Sequence, residues 1–161
     1  MAEYASFDAA GVSISPLPPM TRYSLRARDA DVLAGVIGHA LPRRIGTTAG
    51  AVACLGPDEW LLRLPEGDTV ATGEGQPVSV VDVSERSVGM VVTGPRAIDV
   101  IQAGCPRDVG ALAIGAAVRT IWEEAEIVLF RDDEHVFTVE VWRSFAPWLH
   151  LALVTSAKSL R

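Results

Sequence analysis

The sequence has few of the features that mark a secreted, membrane-spanning or disulfide-rich protein. It contains 2 cysteines in 161 residues, whereas disulfide scaffolds place more cysteines in shorter secreted chains. The longest apolar run covers residues 109–118 and includes two glycines, so it is much shorter than the roughly 20 apolar residues of a membrane-spanning helix. Residues 1–20 include no basic residue and no apolar core, which is unlike a secretory signal. We therefore expect a cytoplasmic protein without a membrane partner.

Basic residues are also scarce. The chain has 14 Lys+Arg against 20 Asp+Glu, which gives a formal net charge of −6, and no basic run is longer than Arg43-Arg44. Nucleic-acid binding depends on clustered basic side chains, so we expect no nucleic-acid partner. The hydrophobic fraction, in contrast, is 49% and the mean hydropathy is +0.27. A chain of this length builds a real core, and we expect its surplus of apolar residues to cover an interface as well.

In the first half of the chain, the spacing of apolar residues predicts a strand, a helix and a hairpin after an extended, proline-rich arm over residues 1–20. Asp29 is the expected N-cap of the helix, which Leu41-Pro42 ends. The turn residues Gly56 to Glu59 separate two short apolar runs and predict the hairpin. The predicted elements are a strand at residues 23–28, the helix from residue 30 to residue 40, and hairpin strands at residues 50–55 and 60–64.

In the second half, the pattern predicts two strands, a helix, a hairpin and a final helix. Ser144 is the expected N-cap of the final helix, with Trp148, Leu149, Ala152 and Leu153 on its buried face. The other predicted elements are strands at residues 78–83, 88–93, 117–122, 125–131 and 136–142 and a helix from Pro95 to Gly104.

This order of elements predicts an α+β fold in which helices cover an antiparallel sheet. We expect a single domain over residues 21–161, built from two duplicated split βαβ (ferredoxin-like) modules. The modules are predicted at residues 21–66 and 78–161. The glycine-rich residues 67–77 are predicted to be the linker between them.

Five short blocks of sequence resemble the γ subunit of heterotetrameric sarcosine oxidase. Their shared order, from about Leu55 to Leu153, is more specific than any single block. Two of them, Asp-Val-Ser and Thr-Gly-Pro-x-Ala, are also distantly similar to the folate-binding domain of the glycine-cleavage aminomethyltransferase. The blocks are Leu55-Gly56-Pro57-Asp58-Glu59-Trp60-Leu61-Leu62, Val81-Asp82-Val83-Ser84-Glu85-Arg86, Thr93-Gly94-Pro95-Arg96-Ala97, Gly104-Cys105-Pro106-Arg107-Asp108 and Arg143-Ser144-Phe145-Ala146.

The resemblance implies a fold like that folate-binding domain and a non-catalytic subunit that serves the assembly of a flavoenzyme. The family's complex oxidatively demethylates sarcosine to glycine, and it forms hydrogen peroxide and, with tetrahydrofolate as a substrate, methylenetetrahydrofolate. The implied partners are the alpha, beta and delta subunits, which hold FAD, FMN, NAD and zinc. No cofactor is therefore expected on this chain. The surplus of apolar residues further predicts that the isolated chain associates with itself.

The residues that could support a reaction on this chain do not form a recognisable arrangement. His39, His135 and His150 lack the i, i+4 spacing of a zinc-binding helix. Cys105 follows the end of a predicted helix, where the helix dipole does not activate a thiol. Gly73-Glu74-Gly75 precedes no helix, unlike a phosphate-binding turn. We therefore predict no catalytic, cofactor-binding or metal-binding residue.

The sequence leaves one alternative function open. The chain could be a stand-alone folate-binding protein for one-carbon transfer or regulation. The resemblance to aminomethyltransferases would require a glycine pair and an Asp in the second hairpin. Glu124 and Glu126 occupy that stretch without the glycine pair, and Asp132-Asp133 comes one strand too late. The alternative therefore lacks its expected carboxylate.

Four residues are predicted to form a structural turn and ion pair. Asp82 ends an apolar strand two residues before Ser84, which suits an Asx-type turn. Arg86 and Arg143 are the expected cationic partners of Asp82. This group is predicted to stabilise a junction between sheet and helix.

The tryptophans are predicted to divide between core and interface. Trp60 is expected in the core, where its large apolar area would be buried and its N–H would be paired. Trp142, Arg143 and Trp148 are possible interface residues, since Trp and Arg are enriched at the energetic centres of interfaces.

Overall fold

Two antiparallel sheets organise the chain, of which the computed structural model describes residues 4–9 and 11–160. A central unit comprises Pro19–Glu85, and a terminal unit combines the described residues up to Pro18 with those from Arg86 onward. In chain order the elements are β1 (Phe7–Ala9), β2 (Val12–Pro16), β3 (Met20–Ala27), α1 (Ala30–Ile37), β4 (Thr48–Ala49), β5 (Val52–Gly56), β6 (Glu59–Pro65), β7 (Val78–Asp82), β8 (Ser87–Thr93), α2 (Ala97–Gln102), β9 (Ala117–Trp122), β10 (Ala125–Asp133), β11 (Val136–Trp142) and α3 (Ala146–Ser159). The predicted α+β class is confirmed.

The central unit has a five-stranded sheet in the order β4-β5-β6-β3-β7. Both β3 and β5 are antiparallel to β6, which lies between them. They therefore run parallel to each other, and α1 connects them, as the predicted split βαβ module requires. The connection from β6 to β7 occupies residues 66–77 and contains no helix.

The assignment of residues 67–77 as a linker between modules is wrong, because β7 belongs to the central sheet. Leu25 pairs with Val80 across β3 and β7, and Val78 and Val80 pack against the central core. Strand β3 lies between β6 and β7, and the backbone groups on its edge away from β6 pair with β7. The glycine-rich segment joins two strands of one sheet.

Local signals place α1 and the hairpin where the sequence predicts them. The Asp29 carboxylate accepts hydrogen bonds from the N–H groups of Asp31 (2.9 Å) and Val32 (3.4 Å), and the helix ends at Gly38, whose φ is 70°. Trp60 is buried in the core as predicted, and its Nε1 donates to the Pro42 carbonyl at 2.8 Å. A buried tryptophan with its N–H paired stabilises the centre of this unit.

The terminal unit has a six-stranded sheet in the order β1-β2-β8-β11-β10-β9. Alternate residues of β11 enter a core that also takes in the inner faces of α2 and α3. Here α2 and the edge strand β9 lie in sequence between β8 and β10, just as α1 and β4 lie between β3 and β5, and β8 and β10 are both antiparallel to β11 and so parallel to each other. The strand order β9-β10-β11-β8 repeats the order β4-β5-β6-β3 of the central unit, so the predicted duplication of the split βαβ module is confirmed.

The N-terminal arm contributes two strands to this sheet. Ser15 pairs with Val91 of β8, and Val12 and Ile14 are 1% and 0% exposed. Burial of these side chains fixes the arm against the second half of the chain. The prediction of an extended arm over residues 1–20 missed this pairing.

The start of α3 also differs from its prediction. The N-cap position is occupied by Phe145, which provides no side-chain hydrogen bond, and Ser144 lies in the preceding turn, where Phe145 N–H donates to the Trp142 carbonyl at 2.9 Å. Trp148, predicted on the buried face, is 38% exposed. The buried residues of α3 are Ala146, Leu149, Leu153, Val154 and Ala157. No helix in the described residues is long and apolar enough to cross a membrane.

Candidate functional site

The predicted turn after β7 closes through side-chain hydrogen bonds. The Asp82 carboxylate accepts from the backbone N–H of Ser84 at 2.8 Å and from its hydroxyl at 2.6 Å. The same hydroxyl oxygen accepts from the N–H of Arg22 in β3 at 2.9 Å. These bonds, first the Ser84 hydroxyl and then the Ser84 N–H, hold the pKa of Asp82 below its usual range. Asp82 is thus an exposed structural acceptor that ties β7 to β3.

Arg86 and Arg143 lie together in the terminal unit. Arg143 N–H donates to the Arg86 carbonyl at 2.7 Å, which extends the pairing of β8 with β11 by one residue. The Arg86 guanidinium lies over the Trp142 ring, 5.5 Å from its centroid. The ion pairs predicted between these arginines and Asp82 would join the two units, and they stay predictions.

An exposed apolar surface lies where β11 passes into α3. Its members follow one another at intervals of three residues, a spacing that makes successive residues neighbours on a helix surface from the start of α3 onward. Trp142 is 47% exposed, Phe145 43%, Trp148 38% and Leu151 65%. We call these four residues the α3 patch.

The most protected member of the α3 patch is fixed by a buried neighbour. The Trp148 ring meets the Trp122 ring edge to face, with their centroids 6.2 Å apart, and Trp122 is 2% exposed. Gly104 leaves room for Trp122, because a Cβ there would lie 2.5 Å from its ring. Trp148 therefore rests on a buried aromatic ring rather than moving freely in solvent.

Neither cysteine has the surroundings of a nucleophile. Cys54 is 1% exposed, and its Sγ donates to the Gly56 carbonyl at 3.3 Å. Burial raises the pKa of this thiol, which keeps it protonated. Cys105 is 4% exposed and its Sγ lies 3.9 Å from the Thr120 hydroxyl. Both are unpaired thiols within cores.

Carboxylates, histidines and cysteines in the described residues form no group of three that could hold a metal ion. His150 instead contacts the N-terminal segment. Its Nε2 lies 3.0 Å from the Ala5 carbonyl oxygen, and its ring stacks on Tyr4 at 5.4 Å between centroids. This histidine therefore has a structural contact with the N-terminal segment.

Sequence reasoning missed Arg131, which organises the longest loop of the terminal unit. Arg131 is 9% exposed and donates from Nη1 to the carbonyls of Gly110 (2.9 Å) and Leu112 (2.6 Å) and from Nη2 to that of Glu134 (3.2 Å). Its position was readable, since Arg131 continues the core alternation of Ile127 and Leu129 along β10. A charged residue in a core position of a strand indicates a buried hydrogen-bonding role.

The sequence matches the model of the sarcosine oxidase gamma subunit family over residues 29–158. It is 34% identical over 119 residues to a sarcosine oxidase subunit gamma of Arthrobacter sp., covering 66% of this chain and 59% of that protein. It is 33% identical over 125 residues to the subunit gamma of Corynebacterium sp. (strain P-1), covering 70% and 62%. These alignments therefore span about three fifths of the curated relatives' length.

Two solved structures share the fold. A chain of the heterotetrameric sarcosine oxidase from Corynebacterium sp. U-96, in complex with pyrrole 2-carboxylate, superposes with a TM-score of 0.83 at 23% identity and covers 96% of this chain and 88% of that chain. The glycine cleavage system aminomethyltransferase T from Bartonella henselae superposes with a TM-score of 0.66 at 16% identity, over 94% of this chain and 50% of that one. Because the family model matches most of the sequence, the chain belongs to the sarcosine oxidase gamma subunit family.

Proposed function

We propose that this chain is the non-catalytic gamma subunit of a heterotetrameric sarcosine oxidase and that it serves the assembly of the complex. Family membership supports the subunit identity. The complex would oxidatively demethylate sarcosine to glycine with formation of hydrogen peroxide and methylenetetrahydrofolate. The chain's own contribution is a docking surface.

The exposed α3 patch is the observation that carries this proposal. Large aromatic side chains are energetically costly to leave in water, and Trp is enriched at the centres of protein interfaces. Trp142 and Trp148, with the neighbouring Arg143, are the proposed interface residues. Burying them against another subunit would use apolar area that the terminal core does not enclose.

The perturbed titratable groups support a structural role. Burial raises the pKa of Cys54, which opposes nucleophilic chemistry. The lowered pKa of Asp82 follows from the turn that it closes with Ser84. Burial in the core accounts for the shift of Cys54, and the turn with Ser84 accounts for the shift of Asp82.

The proposal places the redox chemistry on other chains. The alpha, beta and delta subunits are the proposed partners, and they would hold FAD, FMN, NAD and zinc, while tetrahydrofolate is a substrate of the complex. A cytoplasmic location fits the two unpaired thiols of Cys54 and Cys105. Without its partners, the chain is expected to associate with itself through exposed apolar surface.

Coexpression tests the assembly function. The chain is coexpressed with the alpha, beta and delta subunits encoded in the same genome, and the complex is purified through a tag on alpha. We expect the chain to co-elute in a one-to-one ratio with alpha and omission of the chain to lower the yield of assembled, flavin-containing enzyme. Failure to co-elute would reject the proposal.

Titration of the isolated chain with tetrahydrofolate separates the two functional hypotheses. An assembly subunit without a folate site gives no binding heat in isothermal titration calorimetry. Saturable binding at micromolar concentration, weakened by Asp82→Asn, would instead favour the stand-alone folate-binding protein.

A further inference from the structure

The end of the chain differs in charge from the rest. Residues 142–161 include Arg143, Lys158 and Arg161 but no Asp or Glu, and all 20 acidic residues precede Trp142. The chain as a whole carries a net charge of −6. The segment that contains the α3 patch is therefore a positive region of an acidic protein.

The structure places further positive charge beside the α3 patch. The Arg86 guanidinium lies over the Trp142 ring, and the backbone hydrogen bond between Arg143 and Arg86 keeps the two arginines on neighbouring segments. Helix α3 is 14 residues long, has no acidic residue in its first turn and no side-chain N-cap. The positive end of its dipole therefore adds to the charge of the arginines.

We propose that the α3 patch, together with Arg86 and Arg143, binds a segment of a partner protein in which carboxylates lie among apolar side chains. The inference rests on the proposed assembly function and adds the chemistry of the surface that is recognised. A guanidinium stacked on an aromatic ring can still donate two parallel hydrogen bonds through its edge to a carboxylate. The apolar side chains of the segment would cover Trp148 and Leu151.

The aromatic part of the surface is held in place before binding. Trp148 rests on the ring of Trp122, which is buried in the core against Gly104. Side chains that are already ordered lose less entropy when a partner covers them. This order favours a surface for specific docking over an adaptable apolar area.

A second copy of this chain is a poor occupant of the same surface. A two-fold interface brings each patch against its own copy. Arg86, Arg143 and the positive helix ends would then face like charges, which opposes association. A two-fold contact therefore offers no carboxylates to the arginines, and the proposed occupant is a different chain. Self-association through the α3 patch would be weak and would strengthen as salt screens the repulsion.

Charge reversal in the coexpressed complex tests the inference. In Arg86→Glu/Arg143→Glu, we expect the amount of the chain retained on tagged alpha at 50 mM NaCl to fall about tenfold or more. Wild-type retention should decline between 50 and 500 mM NaCl, and the variant should be less sensitive to salt. The matched control is Arg28→Glu/Arg107→Glu, which makes the same change of charge at two exposed arginines and should be retained like the wild type.

The apolar part is tested by Trp148→Ala against Ile114→Ala. Ile114 is 59% exposed and lies outside the patch. We expect loss of retention for Trp148→Ala only, while far-UV circular dichroism and thermal melting of the full-length variants confirm that each one folds.

The outcomes separate this inference from the function on which it rests. A wild-type chain that does not co-elute contradicts the assembly function. If the wild-type chain co-elutes and the charge-reversed variant is retained equally well, the acidic partner is contradicted while the assembly function stands. The same holds if the wild-type chain binds alpha more tightly at high salt. Co-sedimentation with vesicles of 30% phosphatidylserine, abolished by the double charge reversal, would instead assign the surface to an anionic membrane.

Discussion

The two units of the chain bury their aromatic residues differently. The central unit encloses Trp60 and pairs its indole N–H with a carbonyl. The terminal unit encloses Trp122 but leaves Trp142 and Trp148 partly in solvent. Its core nevertheless has more buried residues, 21 against 12 in the central core. Exposure of the terminal tryptophans therefore does not reflect a lack of core, which supports a role for them at an interface.

The sharpest test of this contrast compares two tryptophans. Trp60→Ala should lower the free energy of unfolding by about 3–5 kcal/mol, because a cavity forms and the Pro42 carbonyl loses its donor. Trp148→Ala should cost clearly less, because Trp148 is 38% exposed and the variant loses only partial burial and one aromatic contact of about 1 kcal/mol. Urea unfolding followed by circular dichroism measures both. Equal losses would mean that Trp148 is a core residue.

The loops of the two units are held by different polar groups. Arg131→Met should destabilise the protein by about 2–3 kcal/mol, because three carbonyls lose a charged donor. In the central unit, the Thr21 hydroxyl accepts from the N–H of Gly67 at 3.0 Å, and Thr21→Val should cost about 1 kcal/mol. Thermal unfolding by calorimetry measures which of the two variants loses more stability. If Arg131→Met destabilises the protein less than Thr21→Val does, water molecules replace the arginine as hydrogen-bond donors to the three carbonyls.

The helix starts provide a third comparison. Asp29→Ala should cost about 1 kcal/mol, because α1 loses two capping hydrogen bonds. Ser144→Ala should change stability by less than about 0.5 kcal/mol, since Ser144 does not cap α3. Chemical denaturation of both variants under the same conditions measures the two losses of stability. A loss near 1 kcal/mol for Ser144→Ala would restore its predicted role as a cap.

The smallest expected effect concerns pH. The pKa of Asp82 is lowered in the folded chain, so its contribution to stability is complete above the unfolded-state pKa of about 3.9 and is lost as pH falls through the folded-state pKa. Ser84→Ala should raise the pKa of Asp82 towards its ordinary value in a ¹³C NMR titration. Because Asp82 is exposed, the melting temperature should change only slightly between pH 5 and pH 3. No rise of the pKa in the variant would contradict the hydrogen-bond explanation.

Elements determined by neighbouring residues could be predicted from the sequence. The Asp29 cap, the turn between β5 and β6 and the alternation in β11 each depend on contacts within a few residues. The choice of partner strand does not. The pattern of residues 78–82 predicts a strand, but it does not indicate which sheet the strand joins. That depends on the free edge of β3, which pairs with these residues. The N-terminal strands are obscured by Pro16, Pro18 and Pro19, although Val12 and Ile14 have the alternation of a buried strand.

The sequence predicted which types of residue form the candidate site, but it did not predict how they are arranged. Trp142, Arg143 and Trp148 were identified because these residue types are common at interfaces. Phe145 and Leu151 were missed, since the helix phase that exposes them depends on which residues of α3 pack into the core. The stacking of Arg86 on Trp142 follows from the pairing of β8 with β11, which composition does not reveal.

The pairing of β2 with β8 also determines the order in which the chain can fold during synthesis. The central unit is complete in sequence once Glu85 has been made. Strand β2, although synthesised earlier, cannot form its ladder until β8 emerges, because Ser15 pairs with Val91. Val12 and Ile14 pair with β1, but they lack the core formed by the later strands while the central unit folds. The nascent chain must therefore keep its first strands soluble at least until β8 has left the ribosome.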